Sequence, residues 1–387
     1  MSRRRVLQAF GIGGGAVVVA AASGVGTRAG LNGAFDVGQG APYGLWSTWQ
    51  DATGLDALVA AAVLAANPHN LQPWVFTIDG DRIDVYADPE RAMPANDADE
   101  RERIVGFGCA LQNLAVAARA RSLDAAITAF PDTDPDHIAT IRITGGAAPT
   151  GRESALADAI AWRHSNRGPY TDEPPTTADL TALLDGAPTG ADVAWVRDAD
   201  AVTELQTLYV EATRAIVDDK AMSVESYQWF RSDRADVDRY RDGLTLDCQG
   251  LDDFTLFAAK VLPAQSRTDS DAYWVKSTRT TQIATTYGVI RVADNTDPAK
   301  RIAGGRLLQH VHLAATAAGL GVHHMNQITE RIARDIATGA ADRFGARWTA
   351  AIGLPQDEGL VSFRIGHPQR EPNPSPRRPL GDVLATA

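Results

Sequence analysis

Two stretches of the chain echo others further along it. Ala110-Leu111-Gln112-Asn113-Leu114 and onward through Leu123 aligns with Leu307-Leu308-Gln309-His310-Val311 through Leu320, an offset of 197 residues. Leu64 to Phe76 aligns with Leu184 to Val196, Pro68 against Pro188, at an offset of only 120. Similarity at fixed offsets marks a duplicated unit, and the gap between the two offsets places about 77 extra residues in the second copy. A unit duplicated within one chain predicts a molecule folded like a two-fold dimer, with sites at the internal interface. The extra residues fall at about 201–277 and include Tyr227-Gln228-Trp229-Phe230. An aromatic, charged insertion of that size suits a lid. Its aromatics could stack over a ligand or pack a core.

The elements around these echoes read clearly. Leu58 to Ala66 is an alanine-rich apolar run, read as a helix. Trp74 to Ile78 and Arg82 to Tyr86, separated by Asp79-Gly80-Asp81, give a hairpin signal. Apolar residues recur at helical spacing from Ile104 to Ala120. Ala125 to Phe130, His137 to Ile143 and Leu360 to Gly366 read as further strands. The predicted fold class is α+β: two half-domains, each a small, mostly antiparallel sheet flanked by helices, joined as an intrachain pseudo-dimer. The expected boundaries are a leader over 1–29, a first half over 30–150 and a second half over 151–387.

Composition narrows the function classes. The chain has 387 residues, 44% hydrophobic and 22% charged, enough to bury a substantial core. It carries 37 basic against 48 acidic residues, a net charge of −11, with no basic stripe in its body. Nucleic acid is therefore not an expected partner. Two cysteines, Cys109 and Cys248, make no disulfide framework. Ser2-Arg3-Arg4-Arg5-Val6-Leu7-Gln8 precedes a glycine-rich apolar run from Ala9 to Val25. This is similar to a twin-arginine export signal, with Val6 and Gln8 where Phe and Lys are commoner. A plain anchor or a disordered tail are the other readings. Export would use the twin-arginine machinery as a partner and place the folded protein in the cell envelope or outside it. Gly11-x-Gly13-Gly14-Gly15 is no dinucleotide loop, because no strand precedes it.

Chemistry concentrates in three places. Asn67-Pro68-His69-Asn70-Leu71-Gln72-Pro73-Trp74 is a helix-to-strand turn of amides, an imidazole and an indole between two prolines. Neutral hydrogen-bonding groups beside a flat aromatic surface suit the edge of a planar heterocycle. The second copy has Gly190, Asp192, Val193 and Ala194 at the positions of Asn70, Gln72, Pro73 and Trp74, so the turn is present once. Arg163-His164-Ser165-Asn166-Arg167 follows an apolar helix, Leu156 to Trp162. Two guanidiniums and a hydroxyl in five residues suit a phosphate; a solvated helix C-terminus uses Arg and His too. A second basic cluster, Arg377-Arg378-Pro379-Leu380, lies near the end.

Together these motifs resemble the nitroreductase family of FMN proteins, and within it the fused, single-chain Acg-type branch. The matching segments are Arg163 to Arg167, Pro68 to Trp74, Gln309-His310, Gly319-Leu320-Gly321 and Arg377 to Leu380. They span most of the chain, though each is short. The resemblance implies FMN as cofactor, its phosphate held by Arg163, Ser165 and Arg167, with His164 beside them and Arg377 or Arg378 completing the pocket. It implies that Pro68, His69, Asn70 and Gln72 meet the ribityl chain and ring edge, and that His324, Met325, Asn326 and Gln327 run near the reactive face. The counterpart of the basic motif in the first half, Gly44 to Trp49, has no cation. One FMN per chain is expected, in a monomer acting as its own pseudo-dimer.

The implied activity is two-electron reduction of nitro or quinone-like compounds, or flavin-dependent dehydrogenation of a small substrate. NAD(P)H is the usual donor in such a family, but it is scarce outside the cytoplasm. A protein that binds or sequesters FMN without catalysis is the alternative. No acid–base residue is obligatory, because the flavin carries the chemistry. A metal protein built on His310-x-His312 and His323-His324 is a third class. It is disfavoured because helix positions two apart point to different sides.

Overall fold

The computed structural model describes residues 27–263 and 265–385; most of the leader expected over 1–29 lies outside them. The first copy contains α1 (Leu45–Thr48), α2 (Asp56–Val63), β1 (Trp74–Asp79), β2 (Arg82–Ala87), α3 (Arg101–Ala120), β3 (Leu123–Ala129) and β4 (His137–Gly145). The second opens with α4 (Gly151–Ala159), α5 (Thr177–Ala182) and β5 (Asp192–Val196). A long excursion follows: α6 (Ala199–Asp218), α7 (Lys220–Gln228), β6 (Phe230–Arg231), α8 (Arg234–Tyr240), β7 (Leu244–Thr245), α9 (Asp253–Val261) and α10 (Arg267–Thr280). The copy resumes with β8 (Thr286–Arg291), α11 (Pro298–Ala317) and β9 (Gly321–His324). It ends with α12 (Gln327–Thr338), α13 (Gly345–Ile352) and β10 (Gly359–Gly366), before a short terminal strand, β11 (Leu384–Ala385).

The two main sheets have the same plan. One runs β11-β1-β2-β4-β3 and the other β5-β8-β10-β9. Without β11, each is two strands, then a long helix, then two strands that join in reversed order. All these pairings are antiparallel. The molecule is α+β, an intrachain pair of related sheets. β1 and β2 are joined by a tight turn, whereas residues 197–285 intervene between β5 and β8. A second excursion, residues 325–358 carrying α12 and α13, separates β9 from β10 and has no counterpart in the short β3–β4 turn.

The long helices α3 and α11 form the centre, and they touch at backbone distance. A Cβ on Gly305 would sit 2.1 Å from the Val105 carbonyl oxygen, and one on Gly108 would sit 2.4 Å from that of Ile302. These two glycines are related by the same 197-residue offset as Gln112 and Gln309. Across the same seam Gln309 Nε2 donates to Asn113 Oδ1 at 2.7 Å, so the buried amides satisfy each other. Helix α2 is buried from Ala57 to Val63, which is why it reads apolar on every side.

Capping explains where the other helices start. Thr150 and Glu153 form a capping box on α4, as do Ser266 and Asp269 on α10. Asp297 caps α11, which has Pro298 at its first position. The excursion is anchored by its own apolar cluster, in which Leu205, Leu208 and Tyr209 of α6 meet Ile328, Ile332 and Trp348 of α12 and α13. At the far end, β11 lies parallel beside β1, pairing Phe76 with Leu384. The second copy therefore finishes on the first copy's sheet and carries the Arg377-Arg378 arm across the 67–73 turn.

Candidate functional site

Helix α2 ends at Val63 and leaves carbonyls without helical partners, as every helix C-terminus does. Arg163 Nη2 donates to the Leu64 carbonyl at 3.0 Å. Arg377 Nη2 donates to those of Leu64 and Ala65 at 3.4 and 3.3 Å. Two cations thus cap this end, where the helix dipole favours them. Between them lies Trp46, its ring 5.6 Å from the Arg163 guanidinium and 4.6 Å from that of Arg377. Burial pulls the Arg163 guanidinium down to about 10 and takes Arg377 well below its usual range.

The turn beyond is held in an unusual conformation. His69, Asn70 and Gln72 have φ of 44°, 56° and 52°, in the left-handed region that residues with side chains rarely occupy. Buried amide bonds hold it there. Asn70 Nδ2 donates to the carbonyls of Gly243 and Pro376, and Asn70 Oδ1 accepts from Arg377 Nη1 at 2.7 Å. Gln72 Nε2 donates to the Arg241 carbonyl at 2.9 Å, while Gln72 Oε1 accepts from the Arg378 amide at 2.8 Å. The turn is therefore clamped by the excursion on one side and the C-terminal arm on the other.

That clamp presents Pro68 and His69 to a cavity of about 240 Å³ between the copies. Ser165 and Arg167 join the same wall from the second copy, with His323, His324, Asn326 and Gln327. Val105, Gly106 and Cys109 of α3 contribute apolar surface, and the excursion closes over it with Tyr227, Phe230, Tyr273 and Trp274. Ser165 and Arg167 also line an adjoining cleft of about 570 Å³. Arg167 Nη1 donates to the Cys248 carbonyl at 3.1 Å. Among the described residues no carboxylate forms an ion pair with it.

The wall beside Arg167 carries neutral imidazoles. Burial first, and then the Arg167 charge, hold His69 down at about 4. Burial, Arg163 and Arg167 hold His324 at about 3, and His323 is pushed well below its usual range by burial and Arg364. His324 Nε2 is buried and has no hydrogen-bond partner. The opposite end is acidic, with Glu102 and Glu330 both lining the cavity.

The sequence-predicted site residues separate into two groups. Pro68, His69, Ser165, Arg167, His324 and Asn326 come together on the cavity wall. Arg163, His164, Asn70, Gln72, Met325, Arg377 and Arg378 do not form part of it. His164 is turned onto Trp46, edge to face at 4.3 Å. Met325 is 1% exposed in the core beneath α12. Arg378 holds Gln72 and the Asp382 carbonyl. The expectation was that the turn amides face a heterocycle and that Arg163 and Arg377 face a phosphate; here these side chains bond mainly to the protein itself. The free helix end and the strained turn accept from the Nη groups of Arg163 and Arg377, while Arg163 Nε, Arg377 Nε and His164 Nδ1 are buried without a hydrogen-bond partner. Trp229 lies off the wall, its ring near the Arg91 and Arg231 guanidiniums.

Glu102 and Glu330 went unread in the sequence. Asp99-Glu100-Arg101-Glu102-Arg103 looks like a solvated helix start, and nothing local shows that one face of it is buried. His310 and His312 bond the carbonyls of Asp185 and His164 respectively, on different sides of α11. Among the described residues no group of three His, Cys, Asp or Glu side chains could hold a metal ion. Cys109 and Cys248 are both free and buried.

Fold and site define an internally duplicated α+β chain with a cavity between its copies, lined by Arg167 at one end and by Glu102 and Glu330 at the other. No protein-family model matches the chain. It is 26% identical over 344 residues to a Mycobacterium tuberculosis protein provisionally named NAD(P)H nitroreductase acg, covering 85% of this chain and 95% of that one. It is 30% identical over 117 residues to an uncharacterised protein of the same species, covering 29% and 34% respectively. Among solved structures it is similar to an FMN-bound nitroreductase from Desulfitobacterium hafniense DCB-2, at 17% identity and a TM-score of 0.35, covering 60% of this chain and 98% of that one. The similarity to the acg protein runs across most of both chains.

Proposed function

We propose that this protein is an FMN-binding oxidoreductase of the nitroreductase type, holding one flavin per chain. The observation that carries the reading is the meeting of His69, from the first copy, with Ser165 and Arg167, from the second, on one cavity wall. A guanidinium without a carboxylate partner, next to a hydroxyl, suits a phosphate. The uncharged imidazoles of His69 and His324, the second with an orphaned nitrogen, and the Asn326 amide offer hydrogen bonds to a ring edge without adding charge. Homology to a protein named as an NAD(P)H nitroreductase supports the same reading. FMN, when bound, would supply two-electron hydride chemistry. The chain's own residues would bind, orient and shield it. Asn70, Gln72 and Arg377 act at one remove by fixing the turn, and Arg163 by capping the helix end before it.

The substrates are nitro or quinone-like compounds, or a small molecule to be dehydrogenated, with NAD(P)H as the donor to test. Anaerobic addition of NADH or NADPH to the FMN-loaded protein should bleach its visible band, and a nitroaromatic should restore it. Failure with both donors would contradict the reductase assignment. One observation favours sequestration instead: the excursion supplies a large share of the cavity wall. FMN release slower than minutes, with no donor-driven bleaching, would support that second reading. We read residues 1–29 as a twin-arginine export signal. Loss of export on replacing Arg3, Arg4 and Arg5 by Lys tests it, and unchanged export would contradict it.

A further inference from the structure

The acidic end of the cavity holds more hydrogen-bond acceptors than the protein satisfies. Glu102, in the first turn of α3, and Glu330, in the first turn of α12, bring their carboxyl groups into hydrogen-bonding contact from the two copies. Each residue is only 8% exposed, and Gln327, three positions before Glu330 on the same helix face, is 5% exposed. Glu102 Oε1, Glu330 Oε2 and Gln327 Oε1 are buried and accept from no N–H or neutral hydroxyl of the protein, and all three residues line the cavity. Orphaned buried acceptors are rare in folded proteins because each loses its water without compensation.

The neighbouring charges are already engaged. Asp97 accepts from the Glu102 and Arg103 amides at 2.9 and 2.8 Å. Glu225 accepts from the backbone of Ala95 and Asn96. Arg101 pairs with Asp99, Arg103 with Glu100, and Arg331 with Asp219 and Asp335. Asn326 donates to Glu102. No cation in this set neutralises the pair. Burial and the like charges of Glu330 and Asp97 raise Glu102 well above its usual range, and burial raises Glu330 to about 8, so the pair retains a proton at neutral pH. Beside it the cavity is walled by the aromatic rings of Tyr227, Phe230, Tyr273 and Trp274.

We propose that this acidic end is the substrate-recognition subsite, and that it selects a small aromatic molecule carrying a protonated amine. It rests on the oxidoreductase reading only in taking the bound amine to be a substrate. An ammonium group offers three donors and one positive charge, and the aromatic walls suit both its ring and its cation. When the cation binds, the O–H bond of the shared proton breaks, the proton goes to bulk buffer, and both carboxylates face the ammonium, which keeps its own protons.

The test is calorimetric titration of the full chain, with and without saturating FMN, at pH 6.5 in two buffers of different ionisation enthalpy. Benzylamine, cationic at that pH, is compared with neutral benzyl alcohol. Benzylamine should bind at least about tenfold more tightly, a difference of roughly 1.4 kcal/mol, and should release a proton. In the Glu102→Gln/Glu330→Gln double variant that preference should shrink to about twofold or less and proton release should vanish. Equal binding of the two probes, no binding of the amine, or a preference that survives in the folded variant overturns the proposal. The comparison on the unaltered protein stands even if the variant fails to fold. Benzylamine binding without FMN binding would sink the flavin reading alone; FMN binding without amine preference would sink this one alone.

Discussion

Asn70 is a residue of the right type for a ligand site whose side chain is engaged by the protein itself. Its side chain bridges the excursion, the C-terminal arm and Arg377 while its own backbone is left-handed. Asn70→Ala should lower stability by about 2 kcal/mol, since it leaves buried partners unpaired. It should also weaken FMN, and chemical denaturation with parallel ligand titration will show both effects together. Arg167→Ala should behave differently. Its guanidinium faces the cavity, so FMN affinity should fall at least about tenfold, roughly 1.4 kcal/mol, with little change in stability. A large stability loss would instead make Arg167 a structural residue like Arg163. The sequence could not sort these arginines. Arg163 and Arg167 sit four positions apart in one motif, and only the end of α2, about a hundred residues upstream, decides which turns inward.

The helices and strands were far more legible than the direction of single side chains. The 197-residue echo corresponds to α3 lying against α11, and the period-two and helical patterns carried most element positions. The strand order was not visible, because β4 returning between β2 and β3 is a non-local pairing. Nor was the second excursion, since a polar helical stretch between two short strands leaves no offset in an alignment that stops at Leu320. The helix crossing makes its own prediction. Gly→Ala usually stabilises a helix by about 1 kcal/mol, but Gly305→Ala meets the Val105 carbonyl at 2.1 Å. It should destabilise by about 3 kcal/mol, as overpacked cores do. A melting temperature at or above that of the unaltered protein would show that the helices are not in backbone contact.

For the molecule as a whole, pH should act from two sides. His69, His164, His310, His312, His323 and His324 are all held neutral by burial, with His69 and His310 at about 4 and His324 at about 3. Their contribution is complete above the unfolded value of about 6.5 and is lost as pH falls toward the folded values. Glu102, Glu330 and Asp97 are raised, the last two to about 8 and about 6, so their contribution is complete at low pH and lost as pH rises through those values. The melting temperature should therefore peak near pH ~6.5 and fall on both sides. In the Glu102→Gln/Glu330→Gln variant the alkaline side should flatten; an unchanged alkaline limb would contradict the raised carboxyl pair. At this scale we propose that one cavity, built from both copies, holds a single flavin. Titrating FMN into the full chain, followed by the flavin's visible absorbance and fluorescence quenching, tests it directly. Saturation is expected at one FMN per chain, with affinity at least about tenfold weaker in Arg167→Ala, whereas saturation at two per chain, or no binding, would contradict a single shared site.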